Sequence, residues 1–367
     1  MNRKTLRSAA PAAAALTLVL GLSACGAANE EPSDSGSSDS AATVSGTLNG
    51  GGSSAQESAV GAWQSAFQTA NPDATVNYDP IGSGGGREQF LAGGISFAGS
   101  DAALTDEELV KAKDRCGSDV VEVPVYVSPI AIMYNLDGVD DLNLTPEVVG
   151  GIFAGKITSW DDPTIVADNP DAKLPKIDIT PVHRSDDSGT TENFTEYLDA
   201  TSGGAWSDGP LQTWPVKGGE GAEGTSGVVS AVTNGKGTIG YADASQVGDL
   251  HTAKIKVGDE FVAFTPEAAA ATLDASTIVE GRAATDIALK IDRTVDEAGV
   301  YPIILASYQI ACQTYEDADE AALVKAWLTY VASDEGQAAS AKDAGSAPLS
   351  KEFAPKVQAA VETIAAA

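Results

Sequence analysis

The chain has 367 residues, of which 52 are Asp or Glu and 22 are Lys or Arg, so its formal net charge is −30. A protein this acidic is repelled by the phosphates of nucleic acids and of anionic membranes, which argues against both as binding surfaces. Apolar residues make up 43% of the sequence, enough for the cores of two domains of ordinary size.

The N-terminus has the pattern of an export signal. Residues 1–24 carry three cations among the first seven positions and then an apolar run, 9–22, that is too short to span a membrane comfortably. The run ends in Leu-Ser-Ala-Cys, which resembles the lipobox of bacterial lipoproteins. In that motif the cysteine, here Cys25, is acylated, for example with palmitate, and becomes the first mature residue. An ordinary signal peptide followed by an incidental cysteine is the alternative.

A tether is predicted at residues 25–43. After Cys25 it consists mostly of Ser, Gly, Ala, Asp and Glu without a large apolar residue, so it cannot contribute to a core and is expected to be flexible. The folded part is therefore expected to begin near Val44. Together with the lipid, the tether predicts a protein held at the extracytoplasmic face of the cell membrane.

Two further cysteines, Cys116 and Cys312, form an even pair in a protein of an oxidising compartment. A disulfide between them and two free buried cysteines are equal alternatives at this point.

From Val44 onward, strand-like and helix-like segments alternate, which favours an α/β fold. A short strand is predicted at 44–48, a tight turn of glycine and serine at 50–54, and then a helix whose apolar face includes Trp63 and Phe67. The same order recurs with a strand at 75–78 and a glycine-rich turn at 81–86, and a third strand at 95–97 runs into Asp101. Later segments predict extended runs at 120–134 and 301–311 and helices at 146–153, 228–232, 321–332 and 356–366.

The segment 182–191, Val-His-Arg-Ser-Asp-Asp-Ser-Gly-Thr-Thr, follows an extended stretch and opens a helical pattern. One interpretation is purely local: Ser188 or Thr190 caps the helix, and Arg184 pairs with Asp186. The other is an oxyanion site, since a helix start offers free N–H groups and the positive end of the helix dipole.

Two other strand-to-helix junctions, at 52–54 and 82–84, have the same small and hydroxyl residues. If the three converge, their N–H and O–H groups form a cage of donors for a tetrahedral oxyanion, to which Arg184 adds a fork of donors. Asp101 fits such a cage only if the anion still carries a proton that it can donate. Hydrogenphosphate does and sulfate does not, so the sequence predicts phosphate as the ligand.

Other chemistries are excluded by missing residues. The segment 150–156 matches most of a nucleotide-binding P-loop, but Ile157 stands where Ser or Thr must hold magnesium. The chain has no Gly-x-Ser-x-Gly motif, and neither His183 nor His251 has a serine partner in sequence. No Cys/His cluster has metal-ligand spacing, so neither a metal nor a cofactor is expected.

Several segments resemble the phosphate-binding proteins that serve ATP-driven (ABC-type) phosphate importers, the PstS family. The resemblance includes that family's first anion loop, the segment with its acidic discriminator, a signature of its second lobe and its main anion loop. In chain order the matching segments are 77–86, 97–104, 155–163, 183–190, 240–241 and 301–303.

The resemblance implies a set of phosphate contacts, with Asp186 as the residue that orients Arg184. Ala55 would contribute its backbone N–H. The first junction, Gly-Gly-Gly-Ser-Ser-Ala-Gln at 50–56, departs from the family's common Gly-Ala-Gly-Ala-Thr-Phe-Pro. The implied ligand-binding residues are Ser54, Ala55, Ser83, Asp101, Arg184, Ser188, Gly189 and Thr190.

The resemblance also implies a type II periplasmic-binding-protein fold, in which two α/β lobes close like a hinge over a ligand in the cleft between them. Lobe 1 would comprise 44–123 and 302–367, and lobe 2 would comprise 124–301. The expected function is that of an extracytoplasmic phosphate receptor for an ABC importer, not an enzyme. The alternatives are a phosphoesterase with Ser83 or Ser188 as nucleophile, and a phosphate sensor or adhesin.

Overall fold

A computed structural model describes residues 44–367. The predicted export signal, the tether and Cys25 lie outside the described residues. The helices are α1 Glu57–Ala70, α2 Ser83–Leu91, α3 Asp106–Cys116, α4 Pro146–Phe153, α5 Pro163–Asp168, α6 Gly189–Thr201, α7 Gly224–Asn234, α8 Pro266–Asp274, α9 Ala318–Val331, α10 Asp334–Ala344 and α11 Ala354–Glu362.

The strands alternate with these helices for most of the chain, which confirms the predicted α/β class. They are β1 Gly46–Gly52, β2 Ala74–Asp79, β3 Phe97–Ser100, β4 Val120–Asn135, β5 Asn143–Leu144, β6 Thr180–Arg184, β7 Glu220–Ala222, β8 Thr238–Asp243, β9 His251–Thr252, β10 Lys254–Val257, β11 Glu260–Val262, β12 Thr277–Ile278, β13 Leu289–Lys290, β14 Ile304–Cys312, β15 Thr314–Tyr315 and β16 Ala365–Ala366.

The main sheet has the strand order β2-β1-β3-β14-β4-β8-β6-β7, with β9 also pairing with β4. Strand β4 changes partner partway along its length. Its residues from Val120 to Pro129 pair antiparallel with β14, and those from Ile130 to Asn135 pair antiparallel with β8. The sheet therefore has a first half, with the parallel strands β1–β3, and a second half, with the parallel strands β6–β8.

Strand β4 also forms the centre of the core. Of its 16 residues all but Asn135 are buried, as are all nine residues of β14. In the first half, α1 packs Phe67 edge-on against Trp327 of α9, with ring centroids 5.4 Å apart. Both strands consist mainly of apolar residues, and the sequence predicted both segments as extended.

Two predicted turns are wrong in detail. Strand β1 continues through Gly50–Gly52, because glycines let it pass close to its neighbours: a Cβ on Gly50 would lie 2.2 Å from the ring of Phe97. The second predicted turn, 81–86, is helical from Ser83 onward, because α2 begins there. The last helix ends at Glu362, and Ala365–Ala366 pair with β15 instead.

A disulfide joins Cys116 at the end of α3 to Cys312 at the end of β14, with Cα atoms 5.4 Å apart. Of the two alternatives for these cysteines, the structure has the bonded one. Within residues 44–367, no helix combines the length and the apolar character needed to cross a membrane.

Candidate functional site

The site lies where the carboxyl ends of the parallel strands of both halves face each other. In open α/β sheets this is where ligands bind. Strands β1, β2, β3 and β6 lead directly into its residues, and helices α2, α6 and α7 begin there. The structure brings all eight predicted ligand residues together in this region, and all eight are buried.

Asp101, which follows β3, is the centre of the site. Three hydroxyl groups donate to its carboxylate: Ser53 and Ser307 to Oδ1, each at 2.5 Å, and Thr190 to Oδ2 at 2.8 Å. Its backbone N–H donates to Ser83 Oγ at 3.1 Å. Hydrogen bonds to an ionised acceptor are the strong ones, so these contacts fix Asp101 between the two halves.

Two predicted ligand hydroxyls are oriented by backbone amides. Ser83 Oγ accepts from the Asp101 N–H, and Ser188 Oγ accepts from the Thr191 N–H at 3.1 Å. A serine hydroxyl has a single hydrogen, and accepting an N–H leaves that hydrogen available for another acceptor. Both hydroxyls can therefore donate to a guest anion.

The first junction is held across the cleft. Ser54 Oγ accepts from the Thr225 N–H at 3.0 Å and lies 2.9 Å from the Thr225 hydroxyl. The Ala55 N–H, which the resemblance assigns to the anion, donates to Ser53 Oγ at 3.1 Å. This amide would have to exchange Ser53 for a ligand in order to play the predicted role.

Arg184, at the end of β6, is held by Asp186. Its Nε lies 2.7 Å from Asp186 Oδ1 and its Nη2 bonds Oδ2, and the Gly224 N–H also donates to Oδ1 at 3.1 Å. Burial opposes ionisation of Asp186, but the hydrogen bonds and the charge of Arg184 outweigh it and hold its pKa below the ordinary value. Among the described residues Nη1 of Arg184 has no hydrogen-bond partner, so one edge of the guanidinium remains for an anion.

The local interpretation of segment 182–191 is confirmed. Ser188 is the N-cap of α6, and Arg184 and Asp186 form an ion pair. The cap and the oxyanion interpretations do not exclude each other, because the cap uses the lone pair of the Ser188 hydroxyl and an anion would use its hydrogen.

Two further contacts join the halves around the site. Asn193 of α6 donates from Nδ2 to the Asp101 carbonyl oxygen at 2.7 Å. Arg87 of α2 donates to Gln212 Oε1 at 2.8 Å, and the backbone oxygen of Gln212 accepts from the Ser188 N–H at 3.2 Å.

Sequence reasoning missed several of these residues. Ser53 lies in a predicted turn and Thr225 in a glycine-rich stretch, so neither stood out from its neighbours. Ser307 and Gln56, which are joined by a hydrogen bond of 2.6 Å, are both 0% exposed, but their burial is set by the tertiary fold and is not visible in the local sequence. A buried polar group needs a partner, and here the partner is the site.

The two histidines pack against aromatic rings. His183 stacks on Trp214, with centroids 4.9 Å apart, and its Nδ1 lies 2.9 Å from the Arg184 carbonyl oxygen. His251 stacks on Tyr134. Neither ring is hydrogen-bonded to a serine in the described part of the chain, and there no group of three His, Cys, Asp or Glu residues is placed to hold a metal ion.

The sequence matches the profile of the PBP superfamily domain over residues 37–335. It is 38% identical over 327 residues to "Phosphate-binding protein PstS 3" of Mycobacterium tuberculosis, covering 87% of both chains. It is also 38% identical over 363 residues to "Phosphate-binding protein PstS 2" of the same organism, covering 96% of both.

Solved structures with the same fold include a high-affinity periplasmic phosphate-binding protein (PfluDING) bound with phosphate. The match has a TM-score of 0.71 at 24% identity and covers 86% of this chain and 93% of that one. A putative phosphate ABC transporter substrate-binding protein with bound phosphate, from Clostridium perfringens, has a TM-score of 0.57 at 20% identity, covering 82% and 98%. These likenesses establish the two-lobed periplasmic-binding-protein fold.

Proposed function

This chain belongs to the PBP superfamily and, within it, to the PstS phosphate-binding proteins, and from that premise we propose that it captures inorganic phosphate outside the cytoplasm and delivers it to an ABC-type phosphate importer. The observation that carries the proposal is Asp101, a buried carboxylate that accepts hydrogen bonds from hydroxyl groups of both halves. Such a site suits an anion that both accepts hydrogen bonds and donates one.

Hydrogenphosphate has this combination. Its unprotonated oxygens would take hydrogens from the hydroxyls and the guanidinium, and its P–OH group would donate to Asp101. Sulfate lacks the proton, so one of its oxygens would face the carboxylate. Losing one charge-assisted hydrogen bond costs about 1.5–3 kcal/mol, before any repulsion. The proposed contacts are those of Ser54, Ala55, Ser83, Asp101, Arg184, Ser188, Gly189 and Thr190, with Asp186 supporting Arg184.

We propose that phosphate enters when the halves separate, because the residues proposed to contact it are buried. We propose that the halves move as hinged lobes, lobe 1 comprising 44–123 and 302–367 and lobe 2 comprising 124–301. In support, hydrogen bonds from Ser54, Arg87 and Asn193 join the halves around the site. Small-angle scattering should show a smaller radius of gyration with phosphate than without it.

The membrane location rests on the sequence. We propose that acylation of Cys25 anchors the mature protein on the outer face of the cell membrane and that residues 25–43 act as its tether. In cell fractionation, Cys25→Ser should move the protein from the membrane to the soluble extracytoplasmic fraction. Retention of this variant in the membrane would contradict the anchor.

We propose that the protein is a receptor and not an enzyme, because neither His183 nor His251 is hydrogen-bonded to Ser83 or Ser188 in the described part of the chain. Turnover of p-nitrophenyl phosphate that is lost in Ser188→Ala would overturn this part. A sensor or adhesin would bind phosphate equally well, and permease and ATPase genes beside this one would favour import.

Isothermal titration of the Cys25→Ser chain with phosphate and with sulfate tests the function. We expect sulfate to bind at least on the order of 10-fold more weakly than phosphate. Asp101→Asn, whose amide can donate to an unprotonated oxygen, should lower phosphate affinity and narrow the difference from sulfate. Asp137→Asn, at a carboxylate whose side chain is 79% exposed, is the control. The absence of phosphate binding, or equal affinities in the unsubstituted chain, would refute the proposal.

A further inference from the structure

Ser307 is a fully buried hydroxyl in the middle of β14, the strand between β3 and β4. The pairing of β14 with β4 shifts register between Ser307 and Tyr308: Ser307 lies opposite Tyr126, and Tyr308 lies opposite Pro124. Such a bulge redirects side chains locally. Here the Ser307 hydroxyl reaches Asp101, which is 206 residues away in sequence.

The direction of this hydrogen bond is fixed by Gln56. The Nε2 group of Gln56 donates to the Tyr308 carbonyl oxygen at 2.8 Å and to Ser307 Oγ at 2.6 Å. A carbonyl oxygen can only accept, so it determines which end of the amide faces β14. Ser307 must then accept from Gln56, and its single hydrogen goes to Asp101 Oδ1.

Ser53 is directed in the same way. It donates its hydrogen to the same Oδ1, and it accepts from the Ala55 N–H as long as that amide is not bound to the anion. Thr190 differs, since among the described residues its hydroxyl makes one hydrogen bond, to Oδ2. Oδ1 thus receives hydrogens from two hydroxyls that are themselves oriented by N–H groups. Oδ2 instead accepts from the Thr190 hydroxyl, which can rotate toward a ligand.

We propose that Ser307, oriented by Gln56, is a positioning residue. Its hydrogen bond keeps Asp101 Oδ1 bonded to the protein, so that Oδ2 is the oxygen that accepts the hydrogen bond from the proton of the bound anion. The proposal rests on the phosphate-binding function proposed above. Two of the residues involved, Ser53 and Gln56, stand where the common family pattern has Ala and Pro, so this arrangement belongs to the present chain's own sequence.

Without the Ser307 hydroxyl, Oδ1 loses one of its two directed donors and the carboxylate is less firmly held. Discrimination against sulfate depends on a carboxylate that presents a lone pair in one direction. A carboxylate that can turn away tolerates sulfate better, although every donor to the anion remains in place. Ser307→Ala should therefore reduce selectivity more than it reduces phosphate affinity.

The test compares phosphate and sulfate affinities of Ser307→Ala with those of Ser346→Ala. Ser346 is also buried and makes one side-chain hydrogen bond, at 2.7 Å to Ser340, but it does not contact Asp101. We expect the phosphate-to-sulfate affinity ratio to fall about tenfold in Ser307→Ala and to stay unchanged in Ser346→Ala. Ser307→Thr, which restores a hydroxyl, should restore the ratio.

A ratio that stays the same in Ser307→Ala, or equal losses for both anions, would overturn the proposal, since a purely structural role weakens both alike. If Ser307→Ala does not fold, Gln56→Leu decides: it keeps Ser307 but removes the amide that directs it, and it should lower the ratio in the same sense. An unchanged ratio in that variant counts against the proposal. An unsubstituted chain that binds no phosphate would refute the proposed function itself, which is a different outcome from a loss of selectivity.

Discussion

At position 189 only a glycine fits. A Cβ there would lie 2.8 Å from both the Asp101 Cβ and the Ser83 Oγ, which is closer than real Cβ atoms approach other atoms. Gly189 begins α6 in the second half, and both neighbours belong to the first, so any side chain would hold the halves apart.

We therefore expect Gly189→Ala to weaken phosphate binding about 10- to 100-fold, since overpacking a tight contact costs about 1–3 kcal/mol. The matched control is Gly61→Ala in α1, where a Cβ meets nothing within 4 Å. That change should leave phosphate affinity unchanged and stabilise the fold by up to about 1 kcal/mol. Titration calorimetry and urea unfolding measure both effects. Unaltered phosphate affinity in Gly189→Ala would show that the halves do not close this tightly around the ligand.

Only part of the site could be predicted from individual residues. Local sequence patterns identified Asp101, Arg184 and the serines at the helix starts, because such patterns indicate where helices begin and where hydroxyl groups lie. Local sequence could not identify Ser307 as a site residue, because the bulge that turns its side chain toward Asp101 depends on pairing between strands far apart in the chain.

At the scale of elements, α6 is joined to both the first half and the chain segment before β14. Asn193, one turn into α6, donates from Nδ2 to the carbonyl oxygens of Asp101 and Gly189, and its Oδ1 accepts from Arg293 Nη2 at 2.5 Å. Arg293 in turn donates to the carbonyl oxygens of Pro302 and Ile304. One amide thus connects the start of α6, the end of β3 and the entry to β14.

The loss of phosphate affinity on substitution of Asn193 should depend on the charge of the new side chain. Asn193→Asp keeps an acceptor for Arg293 but places a carboxylate oxygen against two carbonyl oxygens, so the closed arrangement is opposed. Asn193→Ala removes the same hydrogen bonds without that repulsion. We expect phosphate affinity to fall more than tenfold in Asn193→Asp and less in Asn193→Ala, as measured by titration calorimetry. The reverse order would show that the amide hydrogen bonds do not contribute to closure.

The bounds of helices and strands with a clear sequence pattern could be predicted from the sequence. Bounds that depend on tertiary contacts could not. The helix 146–153 has the predicted bounds, and β4 differs by one residue at its end. The extension of β1 through three glycines, and the pairing of Ala365–Ala366 with β15, depend on neighbouring strands that local sequence does not show. The partner change within β4 is likewise a property of the whole sheet.

The pH dependence of the whole molecule should include one buried carboxyl group, that of Asp243 at the end of β8. It is 0% exposed and accepts from the Tyr126 hydroxyl at 2.9 Å and from Ser245. Burial, the largest influence, raises its pKa from 3.8 to about 6, and the hydrogen bonds offset this only in part. The folded state therefore holds this proton more tightly than the unfolded chain does.

The contribution of Asp243 to stability is consequently full below about pH 4 and is lost as the pH rises through about 6. Asp243→Asn keeps an acceptor for Tyr126 but cannot ionise. At about 1.4 kcal/mol per pKa unit, it should exceed the unsubstituted protein in stability by up to about 3 kcal/mol at pH 7, with little difference at pH 4. Urea unfolding between pH 4 and 7 checks this, with Asp137→Asn as the exposed control. A difference that does not vary with pH would contradict it.

The disulfide, finally, has a consequence for the order in which the protein is made. The first half is assembled from both ends of the folded chain, whereas the strands β6–β8 of the second half lie within one continuous segment. A chain exported N-terminus first presents Cys116 long before Cys312, which follows 196 residues later. Strand β14, which must insert between β3 and β4, arrives with that second cysteine. The second half can therefore fold before the first half is complete. Formation of the disulfide would then belong to the last stage of folding.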